Sequence, residues 1–140
     1  MRLILQILTV LFFLLNSVAF ANDFREDFEI ILKKDEQKKI LVKYEKREKI
    51  FAFRWTLYAN NGVVVLHSYD KFVAQNVLYL NHKNQSIRIV LRDDEKSFYN
   101  SPYFLLKFNE FDAKKNEVKF ELYLYDSTMQ IELKFLKNKD

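Results

Sequence analysis

The side chains in this chain that could do acid–base or nucleophilic chemistry are few: His67, with Ser68 and Asp70 close behind it, and His82. Together they are the parts of a hydrolase: a nucleophile, a general base and a carboxylate to orient it. Their spacing argues against local use. Successive side chains of an extended segment point to opposite faces, so His67 and Ser68 diverge and a triad would have to be assembled across strands. A zinc site needs three or four converging ligands, and two histidines without a cysteine would have to draw carboxylates from elsewhere. Asp93, Asp94 and Glu95 form the tightest acidic cluster, but they lack the glycine and alternating oxygen ligands of a calcium loop and read as a solvated turn. Gly62 is the sole glycine, which excludes a glycine-rich phosphate cradle. The expectation is a protein without catalytic residues, metal or cofactor, with a hydrolase using His67 or His82 with Asp70 as the minor alternative.

The compartment bears on that chemistry as much as the residues do. Arg2, an apolar run from Leu3 to Leu15, Asn16-Ser17 and the ending Ala19-Phe20-Ala21 follow the order of a secretory signal peptide, with cleavage expected after Ala21. The chain then divides into residues 1–21, the signal peptide, and residues 22–140, a single domain. The rival reading is an uncleaved anchor in the inner membrane, because Leu3 to Ala21 nearly crosses a bilayer of roughly 30 Å. Gln6, Thr9, Asn16 and Ser17 weaken it, and an anchor has no use for the small residues at its end. The chain has no cysteine, which rules out lipid attachment at the cleavage site and any disulfide framework. A bacterial periplasm fits an exported, cysteine-free domain better than a eukaryotic secretory route. Nucleic acid is not expected as a partner, since compartment and mixed charge both argue against it.

Whatever chemistry or binding there is must be positioned by strands. Val118, Phe120, Leu122 and Leu124 alternate with Lys119, Glu121, Tyr123 and Tyr125, and Ile131, Leu133 and Phe135 continue the pattern beyond Asp126-Ser127-Thr128. Phe51, Phe53, Trp55 and Leu57 are assigned to one face of another strand. Asn60-Asn61-Gly62 reads as a hairpin turn, because Asn and Gly tolerate positive φ, and Val63 to Tyr69 returns along it. Further strands are expected at 28–33, 39–44, 77–82, 87–92 and 103–109. Residues 23–34 also fit a helix behind Asn22 or Asp23, but Phe28, Ile30 and Leu32 favour a strand. The fold class is all-β: an antiparallel meander of about nine strands, closed as a small barrel, a half-barrel or a two-sheet sandwich.

Two features of the pattern point outward. In the middle of the chain both strand faces are apolar: Val64 and Leu66 back Val63 and Val65, Val77 and Tyr79 back Leu78 and Leu80, and Val90 backs Ile89 and Leu91. Such strands call for cover on both sides, from the outer strands or an N-terminal helix, from an apolar or amphipathic ligand in a barrel interior, or from another envelope protein or a second copy. The second feature is a basic run from Lys33 to Arg54, with nine cations against four carboxylates. It serves mainly to keep turns and sheet edges soluble, with an anionic envelope surface as the weaker alternative. The overall expectation is a periplasmic, non-catalytic binding or envelope-assembly module. A carrier of an apolar molecule is the alternative, and no motif marks a family.

Overall fold

A computed structural model describes residues 26–91, 101–127 and 130–138. Nine strands form, β1 (Glu26–Lys33), β2 (Lys38–Tyr44), β3 (Arg47–Ala59), β4 (Gly62–Tyr69), β5 (Phe72–Tyr79), β6 (Ser86–Val90), β7 (Tyr103–Asp112), β8 (Glu117–Tyr125) and β9 (Ile131–Leu136). All pairings are antiparallel and make two sheets, one in the order β1-β8-β7-β6 and the other β5-β4-β3-β2-β9. The all-β expectation holds, and of the three closures proposed the two-sheet arrangement is the one formed. The meander is broken where the chain passes between sheets after β1, β5 and β8. The signal peptide assigned to residues 1–21, its cleavage after Ala21 and the acidic cluster at 93–95 lie outside the described residues. Among the described residues no helix is long and apolar enough to cross a membrane.

A chain with one glycine still has to turn tightly. Positive φ falls on Asp35, Asn60, Asn61, Asp70, Asn81, Asn116 and Glu45, and all but Glu45 are Asn or Asp, whose short polar side chains make the left-handed region affordable. Asn60 and Asn61, at φ 51° and 63°, close the β3–β4 hairpin as a two-residue turn of the primed type. Gly62 itself has no positive φ, so the conformational reason expected for it is wrong. Its value is space: a Cβ there would stand 2.6 Å from the ring of Tyr79 across the strand pair.

The core lies between the sheets. Phe51, Phe53 and Trp55 of β3 face Phe104 and Phe108 of β7 and Phe120 of β8, all essentially inaccessible to solvent. Phe51 meets Phe104 at 5.1 Å between ring centroids, and Phe53 meets Phe120 edge-on at 5.4 Å. These rings, with Leu106, Leu122 and Leu124, fill the interior that an enclosed ligand would need. β1 is a strand, as Phe28, Ile30 and Leu32 foretold, and they stand opposite Leu122, Phe120 and Val118. Polar ties fasten the rims: Trp55 donates its indole N–H to the Leu32 carbonyl at 2.8 Å, and the Tyr69 hydroxyl donates to the Leu91 carbonyl at 2.7 Å. On the opposite rim Phe28 packs edge-on against Phe135 at 4.8 Å.

Two sequence assignments are corrected. Phe51, Phe53 and Trp55 do face the core, but Leu57 does not. A β-bulge between Trp55 and Leu57 inserts Thr56 without an opposite number, which reverses the strand's alternation. Tyr58 therefore turns inward and stacks on Phe111 at 3.8 Å, while Leu57 turns outward and is 52% exposed. The strand expected at 77–82 instead runs from Phe72 to Tyr79 and starts straight after a two-residue turn at Asp70 and Lys71. Its two faces are equally apolar, so no two-residue period marked its first half.

Candidate functional site

The hydrolase parts are dispersed. His67 points from β4 into the core with its Nε2 2.8 Å from Asn76 Oδ1 on β5, while its buried Nδ1 has no hydrogen-bond partner among the described residues. Ser68, the next residue, occupies the opposite face across from Ala52 and Val73. Asp70 lies in the β4–β5 turn and pairs with Lys49 at 3.3 Å. His82 sits in the loop after β5, where its Nδ1 accepts the Asn84 N–H at 3.2 Å and its ring leans on Tyr79. His67, Asp70 and His82 each have partners elsewhere, and among the described residues the geometry brings no nucleophile to these bases. Among the described residues no three His, Asp or Glu side chains converge as metal ligands.

Tyr69, at the margin of the core, has a markedly displaced titration. Its ring covers the end of the core, its hydroxyl is held on the Leu91 carbonyl, and Lys49 lies 5.7 Å from its centroid. Burial, with the nearby Asp70 carboxylate second, pushes its pKa from 10.0 up to about 12. These are the properties of a structural clasp: the proton is held on the Leu91 carbonyl and is hard to remove.

The strongest concentration of unsatisfied surface is the outer face of the five-stranded sheet. The register brings Ile50 and Leu57 of β3, Val64 and Leu66 of β4, and Val73, Val77 and Tyr79 of β5 to that face. Ile50, Leu57, Val73 and Val77 are between 39% and 64% exposed. Leu57 is delivered there by the bulge, and Tyr79 lies flat across Gly62 because that position has no side chain. The doubly apolar strands read from the sequence are thus real, and among the described residues nothing covers their outer side.

Arg54 sits inside this apolar surface, opposite Leu66 on β4. Its Nε is shielded from solvent and has no hydrogen-bond partner among the described residues. A half-buried arginine set among aliphatic side chains presents a planar donor fork suited to a carboxylate, and such clusters are typical of the energetic centre of a protein interface. The remainder of the basic run is divided. Lys43 pairs with Glu48 at 3.5 Å, Lys49 with Asp70, and Lys38 lies over the Phe135 ring at 5.3 Å. These three cations hold turns and rims in place.

Alternation with Phe53 and Trp55 places Arg54 on the reverse side of a core strand already in the sequence, although without a functional role; the outward turn of Leu57 and the strand segment 72–76 depend on the bulge and on pairing with β4. Comparison of the chain with protein-family models, with curated proteins and with solved structures gives no match.

Proposed function

We propose that this chain is an exported, non-catalytic binding module of a bacterial envelope that docks another envelope protein on the outer face of its five-stranded sheet. The observation carrying the proposal is the exposed set Ile50, Leu57, Val73 and Val77, with half-buried Val64 and Leu66 between them, around Arg54, whose Nε has no hydrogen-bond partner among the described residues. A contiguous apolar surface of this kind, centred on an arginine, marks an interaction site more often than a solvated sheet face. The fitting partner presents aliphatic or aromatic side chains and one carboxylate. Export is supported by the order of residues 1–21, which ends in Ala19-Phe20-Ala21. An apolar cargo would need room between the sheets, where Phe51, Phe53, Phe104, Phe108 and Phe120 are packed instead.

The test is a photoreactive residue placed at Leu57 in the full-length chain, expressed in a bacterium, with a matched control at Tyr123 on the outer side of the other sheet. A discrete, mass-identified envelope adduct at position 57, absent at 123 and lost on Arg54→Glu, is the expected result. Adducts at both positions alike, or none at 57, would overturn it. Leu57→Lys should also abolish partner binding while shifting stability by no more than about 0.5 kcal/mol, as surface changes do.

A further inference from the structure

Each sheet of a sandwich ends in two edge strands whose outer N–H and C=O groups lack a neighbour, and natural proteins guard such edges with charge, brevity, proline or bulges. Here the edges are β1, β6, β5 and β9. Three are guarded. β1 carries Glu26, Asp27, Glu29 and Lys33, β9 carries Glu132 and Lys134, and β6 is five residues long and carries Arg88. β5, Phe72-Val73-Ala74-Gln75-Asn76-Val77-Leu78-Tyr79, has eight residues, no charge, no proline and no bulge. Phe72 and Val73 are 67% and 64% exposed.

The hydrogen-bond parity of β5 says which groups are open. Tyr79 donates its N–H to the Asn84 carbonyl at 3.2 Å, away from β4. Alternation in an antiparallel pair then turns the N–H and C=O of Val73, Gln75 and Val77 the same way, toward the open edge. Among the described residues no other backbone group meets them.

We infer that β5 pairs antiparallel with β5 of a second copy of this chain, in the two-fold register centred on Gln75, joining the two five-stranded sheets into one continuous sheet. A two-fold axis perpendicular to the sheet keeps inner faces on the same side, so opposite residues must share parity. Centring on Gln75 sets Val73 against the partner's Val77, Gln75 against the partner's Gln75 and Val77 against the partner's Val73. That register uses every open group of the three residues, in about six backbone hydrogen bonds. Centring on Asn76 would instead call on the Tyr79 N–H, which Asn84 already holds. The occupant is a second copy because an uncharged, length-matched strand meets itself without repulsion, and the valine pairs stack symmetrically on the outer face. The inference rests on the reading of this sheet as the docking surface, and it extends that surface across both copies.

The test uses the full-length product and its lack of cysteine. Sedimentation equilibrium should show a monomer–dimer equilibrium. The V73K/V77K variant should weaken it at least about tenfold by setting like charges across the joint, and V73K/V77E should restore it by setting opposite ones, with folding checked by circular dichroism. Oxidation of Gln75→Cys should give a disulfide-linked dimer, and Val73→Cys or Val77→Cys alone should give far less. A strict monomer at all concentrations, equal behaviour of the two charge variants, or equal crosslinking at all three positions would overturn the inference. Arg54→Glu and Leu57→Lys should leave dimerisation unchanged. A dimer without an adduct at position 57 therefore fails the envelope-partner reading alone, and an adduct without a dimer fails this inference alone.

Discussion

Replacing Tyr69 by Phe removes one oxygen from the rim where β4 meets the exit of β6, and the consequence can be worked out at two pH values. The hydroxyl donates at 2.7 Å to the Leu91 carbonyl, and Leu91 is itself buried with its N–H held by the Pro102 carbonyl at 2.9 Å. Without the hydroxyl that buried carbonyl loses its partner, and the cost near neutral pH is about 1–3 kcal/mol. At alkaline pH the sign of the linkage matters. Tyr69 has its pKa raised from 10.0 to about 12, by burial first and by Asp70 second, so the folded protein holds this proton more tightly than the unfolded chain does. Its contribution is complete below pH 10.0 and is lost as the pH rises through the folded-state value of about 12. The variant has no such proton. The stability gap between wild type and Tyr69→Phe should therefore be widest near neutrality and shrink through that window, whatever the other tyrosines and lysines contribute to both proteins. Urea unfolding followed by far-ultraviolet circular dichroism measures the gap. A gap below about 0.3 kcal/mol at neutral pH would refute the clasp, given the usual value of a buried hydrogen bond. A gap constant from about pH 9 to about pH 11.5 would refute the assigned titration.

Two further outcomes test the packing. Trp55→Phe keeps an aromatic ring in the core but removes the donor to the Leu32 carbonyl, and should lower stability by about 1–3 kcal/mol; hydrogen exchange should show β1 opening more readily while β7 and β8 stay protected. Phe120→Ala removes the ring that meets Phe53 and Phe108 at the centre of the sandwich, and calorimetry should record a loss of about 3–5 kcal/mol.

Neighbouring residues determine whether a segment extends, and here they did so plainly. The alternation of Val118, Phe120, Leu122 and Leu124, the pairing of Phe28 with Ile30 and Leu32, and the Asn60-Asn61 turn all express local preferences, and each stands in the fold as read. The apolar backing of β4 was likewise legible, because Val64 and Leu66 interrupt a period that a solvated sheet would keep. What neighbours do not specify is which strand pairs with which. β1 lies against β8 and β2 against β9, with most of the chain between them, and only burial of the two inner faces against each other selects those partners. The bulge at Thr56 is another such outcome: a single unopposed residue sends Tyr58 to Phe111 and Leu57 to solvent, although sequence alternation had grouped Leu57 with Trp55. β5 is the clearest case. Its composition shows a strand with two apolar faces, but its place at the end of a sheet, its open N–H and C=O groups at Val73, Gln75 and Val77, and its contrast with three charged or short edges are properties of position in a sheet, which the tertiary structure alone assigns.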